Sequence, residues 1–377
     1  MKIALALVAL GLVIATPAFA DDDYGGATVI FARSSSLMRT DPRGKGEAEV
    51  AKLPAKVSVR ALRTDAHGTV LLADLGGKWS WMKLDGTQTT LTDLPCADGP
   101  AQLAVDGACV LCRSTTSALG SVIVNLKTGK TTPVEIPSPG ARLVGEGAQR
   151  RAVWADASGV WSSPPADPSK KQQVAPEAPL RSFLPSPDGT RAVGVYRDIV
   201  HEGKQTKPAE ILMNFQLDGQ AARRKAIKAG VPIEWSHDNQ WILLQDRGSA
   251  CIMSAVGGEY KCWKGFTGAS VSPDGRWALA LGSRNKSDSD KKSKKPAKKK
   301  DSKKDSNKGA PRADAEPTNE DENAGAEATP TDDVEVAPPT GPLALYRAQL
   351  AGPYSTAPVR IVSVVDGAAV WIPGPSR

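Results

Sequence analysis

Ser186-Pro187-Asp188-Gly189 followed by TRAVGVY, and Ser272-Pro273-Asp274-Gly275 followed by RWALALG, are two copies of one pattern. Each is a tight turn that opens an apolar strand. Proline presets φ at the first turn position, aspartate bonds the backbone two residues on, and glycine takes the φ > 0 position that closes the turn. Weaker copies are Ser236-His237-Asp238-Asn239 before QWILLQD, Asp65-Ala66-His67-Gly68 before TVLLAD, and Asp106-Gly107 before ACVLC. Gly147-Ala148-Gln149-Arg150 before RAVWAD is the most degenerate.

Between these turns the apolar runs are short and rich in Val, Leu, Trp and Ile. No long stretch has a 3.6-residue period, so the chain reads as all-β. The copies recur about every 40 residues, the length of a four-stranded propeller blade. Setting aside the first 20 residues and a polar tract at 285–340 leaves roughly 300 of the 377 residues, seven blades of about 43. Six blades is the alternative, since the two central repeats are degenerate.

The repeat resembles that of the TolB-type (WD40-like) β-propeller family, whose pattern is W-S-P-D-G, an apolar strand, a second strand, D-x-x-G-G and a threonine-rich strand. Pro185 to Tyr196, Glu234 to Gln245 and Val271 to Leu281 carry it best, and KWSWMKLDGTQTTLT (Lys78–Thr92) looks like the second half of a repeat. The resemblance covers nearly the whole ordered chain. It implies the fold and says little of function, because many activities use it. TolB proteins place an α/β module before the propeller. Here the first strand begins within about ten residues of an expected cleavage site, which leaves that module no room.

That site closes the opening segment MKIALALVALGLVIATPAFA. Lys2, an apolar run from Ile3 to Thr16, Pro17 and the Ala18-Phe19-Ala20 tripeptide read as a secretory signal cleaved after Ala20. The expected address is periplasmic or secreted, with no transmembrane segment in the mature chain, residues 21–284 plus 341–377 forming a monomeric ring. At the ends, GGATVIFAR looks like the second strand of a blade lacking its first. Ala369–Pro373 resembles that missing strand, so residues 369–373 are expected to pair beside residues 28–33 and close the ring.

Five cysteines suit an oxidising compartment. Cys251 and Cys262 flank a possible two-residue turn at Val256-Gly257 that sets them opposite one another. Cys109 and Cys112 lie on one strand, point to opposite faces and cannot bond each other. Cys96 can reach one of them, which leaves one free thiol. Nine tryptophans occur, eight in or beside inner-strand runs; packing between blades is the simpler reading of them than sugar binding.

The formal net charge of +7 is local rather than general. Residues 285–310 hold 11 Lys against 4 Asp, and residues 311–340 hold 9 acidic groups against one Arg. Such a tract cannot repay the entropy of folding and is expected to be a disordered insertion in the last blade, between WALALG and PLALYRAQL. Its Lys block offers a tether for an anionic envelope surface, or its two halves neutralise each other. Specific nucleic-acid recognition is not expected, since the block has no interleaved aromatics. A second polar stretch, Asp198–Glu210, reads as a long loop joining the second and third strands of the fifth blade. Both elaborations then emerge on one face, opposite the S-P-D-G turns.

The expected function is non-catalytic: binding of a protein or envelope component through this face. Candidate partner-binding residues are Asp198, His201, Glu202, Lys204 and Lys207, with Lys291, Lys292, Lys294, Lys295, Lys298, Lys299 and Lys300. The alternative is a propeller enzyme of carbohydrate lyase or hydrolase type with a site at the channel mouth. No catalytic residue, cofactor or metal ligand is assigned. His67, His201 and His237 fall in different blades, no G-x-S-x-G elbow occurs, and no phosphate loop precedes a helix.

Overall fold

A computed structural model of the chain describes residues 24, 26–115, 120–136, 141–176, 180–202, 205–218, 230–256, 260–283, 343–350 and 357–374; for 197–202 and 205–210 this covers the backbone alone. All belong to one unit, Met1–Arg284 with Pro339–Arg377. The expected signal segment 1–20 and the tract 285–340 lie outside the described residues.

Blade 1 opens with β1 (Thr28–Arg33), β2 (Ser36–Thr40) and β3 (Ala48–Lys52). Blade 2 is β4 (Val59–Thr64), β5 (Val70–Leu75), β6 (Lys78–Lys83) and β7 (Thr92–Asp93). Blade 3 is β8 (Cys96–Leu103), β9 (Cys109–Ser114), β10 (Ser121–Asn125) and β11 (Thr131–Val134). Blade 4 is β12 (Arg142–Val144), β13 (Arg151–Asp156), β14 (Gly159–Ser163) and β15 (Gln172–Ala175). Blade 5 is β16 (Ser182–Pro185), β17 (Arg191–Glu202) and β18 (Gln205–Gln216). Blade 6 is β19 (Val231–Trp235), β20 (Trp241–Asp246), β21 (Ser249–Ser254) and β22 (Tyr260–Lys264). Blade 7 is β23 (Phe266–Val271), β24 (Trp277–Ser283), β25 (Leu343–Gln349) and β26 (Val359–Val365). The last strand, β27 (Ala369–Ile372), pairs with β1 and completes blade 1. The result is a seven-bladed all-β propeller, and the six-blade alternative is set aside. Among the described residues the helical content is two short 3₁₀ turns, Gly147–Gln149 and Pro168–Lys170, and no helix is long and apolar enough to cross a membrane.

The S-P-D-G turns owe their rigidity to a residue the repeat pattern makes easy to overlook. Ser186, Ser236 and Ser272 are buried, and each Oγ accepts the backbone N–H five residues on, at 3.0, 2.9 and 2.8 Å. The same hydroxyls donate to Asp188, Asp238 and Asp274, whose carboxylates accept the N–H two residues on. Buried donors and acceptors are thus satisfied within the turn. In blade 2, Asp65 replaces the serine, and its Oδ1 takes the N–H groups of both Thr69 and Val70, at 2.8 and 2.7 Å. Glycine is required at the closing position for space as well as for φ. A Cβ on Gly189 (φ +71°) would lie 2.7 Å from Val144 Cγ2 of the preceding blade.

Each second strand is covered on both faces, which is why these runs are apolar without alternation. In β5, Leu71, Ala73 and Leu75 face blade 1, while Val70 and Leu72 face blade 3. Seven apolar clusters form in this way, one at each junction between neighbouring blades. All nine tryptophans pack into or against these clusters, as the packing reading expected. Not all lie near the axis, however. Trp79, Trp81 and Trp161 sit on third strands and Trp263 on a fourth, because the blades diverge outward and the wedge to be filled widens there.

β27 joins blade 1 in the expected register, Val29 opposite Trp371 and Ile30 opposite Val370. Trp371, 1% exposed, faces blade 7, while Val370 and Ile372 face blade 2. Arg33 Nε donates to Val364 O at 3.1 Å across 331 residues of sequence. The Arg347 guanidinium lies against both Tyr24 and Trp277, 5.0 and 5.1 Å from their ring centres, and the two rings are 5.3 Å apart, so the N-terminal segment is also held against blade 7.

One sequence expectation is corrected. Asp198–Glu210 is not a loop: β17 and β18 stay paired throughout, with Asp198 opposite Ala209 and His201 opposite Thr206. Ile199, Val200 and Thr206 favour extended backbone, so the polar composition of the segment does not forbid strands. Blades 3 and 4, expected to depart most from the pattern, each have four strands, whereas blade 5 has three among the described residues. The tract 285–340 does interrupt a hairpin, since β24 and β25 pair from Ser283–Leu343 to Trp277–Gln349.

One disulfide follows from register, and the other joins Cys112 to a residue paired two positions along, since Cys96 stands opposite Ser114. Cys251 and Cys262 are directly opposed on β21 and β22, and Cys96 bonds Cys112. Cys109 is the buried free thiol, and burial pushes its pKa up. Thiol titration of unreduced protein should therefore find no reactive group in the native state and one per chain in denaturant; three or five would contradict the pairing. Trp371→Ala should lower stability by about 3–5 kcal/mol, read from urea unfolding followed by far-UV circular dichroism. A change below about 1 kcal/mol would mean that closure of the ring depends little on this side chain.

Candidate functional site

The first strand of each blade touches the first strand of at least one neighbouring blade near the axis. One level of these inner strands can be followed around the ring by register. In every blade, one inner-strand residue pairs with the third residue of the second strand: Val370 with Ile30, Arg63 with Leu72, Gln102 with Leu111, Arg142 with Val153, Leu184 with Val193, Glu234 with Leu243, and Ser270 with Leu279. Their sequence neighbours Trp371, Leu62, Leu103, Leu143, Phe183, Trp235 and Val271 pack into the junction with the preceding blade. Side chains alternate along a strand, so the seven level residues point the other way, toward the inner edge of the next blade and the axis.

Three of the seven carry charge. Arg63, Arg142 and Glu234 stand on blades 2, 4 and 6, each half-buried. The charge of Arg63 acts on both of the others. Burial lowers the Arg63 pKa, opposed by Glu234 and Asp74, and pushes Arg142 down to about 10, with the charge of Arg63 adding to the effect. Burial raises Glu234 to about 7, opposed by Arg63, by the Ser270 hydroxyl 3.3 Å away and by the Val271 N–H. Arg63 Nε is buried without a hydrogen-bond partner. Gln102 Nε2 donates to Leu103 O at 3.1 Å.

The turn face lies just beyond this level. There His67 Nε2 is 3.6 Å from Glu146 Oε1, linking blades 2 and 4. His237 of blade 6 senses His67, Asp65 and Asp238; burial holds it below the usual histidine range, and its Nδ1 has no partner. Two of the three histidines that the sequence distributes over separate blades thus stand in turns on one face of the ring. Among the described residues no group of three or more His, Cys, Asp or Glu could hold a metal ion.

The residues named from sequence are elsewhere. Asp198, His201 and Glu202 lie on β17 and Lys207 on β18, in the part of the hairpin described by its backbone. Lys204 and the lysines Lys291, Lys292, Lys294, Lys295, Lys298, Lys299 and Lys300 lie outside the described residues. The hairpin tip and the break between Ser283 and Leu343 are both second-to-third-strand connections, so they emerge on the face opposite the serine turns. The charged level of the channel escaped sequence reading. Its one signal was Glu234, Arg63 and Arg142 each standing a few residues before a turn copy, at a position otherwise filled by Val, Leu, Gln or Ser.

No protein-family model matches this chain, and no curated protein matches it. Among solved structures, it is similar to the putative TolB from Agrobacterium tumefaciens, at 12% identity over 63% of this chain and 87% of that one, with a TM-score of 0.42. It is also similar to TolB from Acinetobacter baumannii, at 13% identity over 63% and 66%, TM-score 0.40. An oligogalacturonate lyase in complex with manganese aligns at 12% identity over 66% and 79%, TM-score 0.44. Likenesses of this size carry nothing about activity. The propeller itself, implied by the resemblance to TolB-type repeats, is established by the strand pairing.

Because the fold holds the Glu234 proton more tightly than the unfolded chain, stability falls as pH rises from about 4.5 to about 7 and this contribution is constant above. Glu234→Gln should flatten that part of the profile and leave the variant more stable than the parent at pH 8, measured by urea unfolding at pH 5 and 8. Equal pH dependence in the two proteins would show that Glu234 ionises freely.

Proposed function

We propose that this chain is a non-catalytic binding propeller of the periplasm or extracellular space. It docks a protein or cell-envelope component through the face that carries the β17–β18 hairpin. The observation that carries this reading is the length of that hairpin. Its strands are 12 residues each, against 2 to 8 elsewhere in the ring. The part beyond Tyr196 extends roughly 20 Å at the usual rise per residue. Among the described residues the strands beyond Tyr196 pair only with each other, so their outer edges offer backbone groups to a partner strand. Pro208, on β18, is tolerated at such an edge. The tract 285–340 leaves from the same face and adds a dense block of lysines, which suits an anionic envelope surface.

A catalytic reading of carbohydrate lyase or hydrolase type would draw on Glu234 of the channel level and on His237, His67 and Glu146 of the turn face. Glycoside hydrolysis generally needs two carboxylates flanking the bond. The charged level contributes one, Glu234 on blade 6, with arginines on blades 2 and 4.

The test is crosslinking and capture from an envelope extract with the full chain and two variants. One replaces residues 198–209 by Asn-Gly, and the other lacks 285–340. A partner captured by the parent and lost with the shortened hairpin supports docking through this face. Capture that is unchanged by both variants, or no capture with crosslinkers of several lengths, would overturn it.

A further inference from the structure

Register sets Arg63 and Arg142 at one level of the channel wall, on blades 2 and 4, where Arg142 donates one N–H to Ala141 O at 3.1 Å. Arginine does not escape such a site by releasing its proton, since its pKa stays far above neutral. A buried charge with an incomplete set of partners is costly. Arg63 shows this incompleteness directly, because its Nε is buried without a hydrogen-bond partner, and Glu234 and Asp74 act on it through space. Asp74 is itself engaged with the Gly77 N–H at 2.7 Å. Glu234, the carboxylate of this level, is turned toward Ser270 and Val271 of blade 7. Gln102 stands between the two arginines in ring order, on blade 3, and its Nε2 is already used by Leu103 O. Arg63, Gln102 and Arg142 therefore form a donor-rich arc over three consecutive blades, with the carboxylate on the far wall.

We infer that this level of the channel is a binding site for an oxyanion, a carboxylate or phosphate group on a ligand entering the channel, held between Arg63 and Arg142. The fork of a guanidinium matches two oxygens of such a group. The site is formed by rigid inner strands whose opposite sides are fixed in the core clusters, so it is organised before the ligand arrives. Glu234 faces it as a gate on charge: while ionised it competes with the ligand for the arginines, and it disfavours ligands carrying more negative charge than the two cations can hold. The site is separate from the hairpin face, and either reading can fail without the other.

Isothermal titration of the full chain with inorganic phosphate and with malonate, at constant ionic strength set by chloride, tests the site. We expect saturable one-to-one binding of at least one probe. Binding of phosphate alone assigns a phosphoryl ligand, and binding of malonate alone a carboxylate ligand. Arg63→Gln and Arg142→Gln should each weaken it tenfold or more, while Glu234→Gln should strengthen it several-fold above pH 7. Because the Lys block also attracts anions, the chain lacking 285–340 is titrated in parallel and should bind as the parent does. Arg63→Lys covers the case in which the glutamine variant does not fold: it keeps the charge, loses the fork, and should still weaken binding. Absence of saturable binding by both probes would overturn the site. So would binding that vanishes with 285–340 or is unchanged in the foldable arginine variants.

Discussion

A propeller blade has no solvent-facing side on its second strand, so its stability is borrowed from both neighbours. That makes closure of the ring the constraint on which the other interactions depend. The pairing of β27 with β1 meets it with chain from opposite ends of the sequence. Trp371 then fills the junction with blade 7, and Val370 and Ile372 that with blade 2. Removing this strand would expose the edge of β1 and leave two of the seven clusters without part of their lining. The remaining junctions are equivalent in kind, and each is filled by residues alternating along the second strand.

The serine turns serve the same constraint at a smaller scale. A buried hydroxyl that bridges the turn carboxylate and the strand's first N–H fixes where each second strand starts. Consecutive turns lie close enough that a side chain on Gly189 would collide with blade 4. Fixing the turns fixes the height of the inner strands, and this is why residues at one register position in different blades form a level around the axis. The channel arginines and Glu234 are held by this indexing rather than by contacts with one another.

Two kinds of surface result. The channel level is built from inner strands and charged, with groups whose protonation is shifted by burial. The opposite face carries a ribbon whose two strands are the longest among the described residues. These differ in what they can recognise: the first a small charged group reaching the axis, the second an extended surface or strand.

The repeat, the all-β class, the seven blades, the closing strand and the Cys251–Cys262 bridge were all legible in the residues. Each depends on local chemistry that leaves a mark in a short window: turn residues at fixed offsets, apolar runs of strand length, and cysteines symmetrical about a turn. Ring closure was legible because two half-patterns at the ends complement one another. The hairpin was not, since the polar residues from Asp198 to Glu210 carry no apolar alternation that marks a strand. Nor was the channel site. Arg63, Arg142 and Glu234 are far apart in the chain and look like ordinary surface charges in sequence; only the stacking of seven registers turns them toward one axis and removes enough water to shift their protonation.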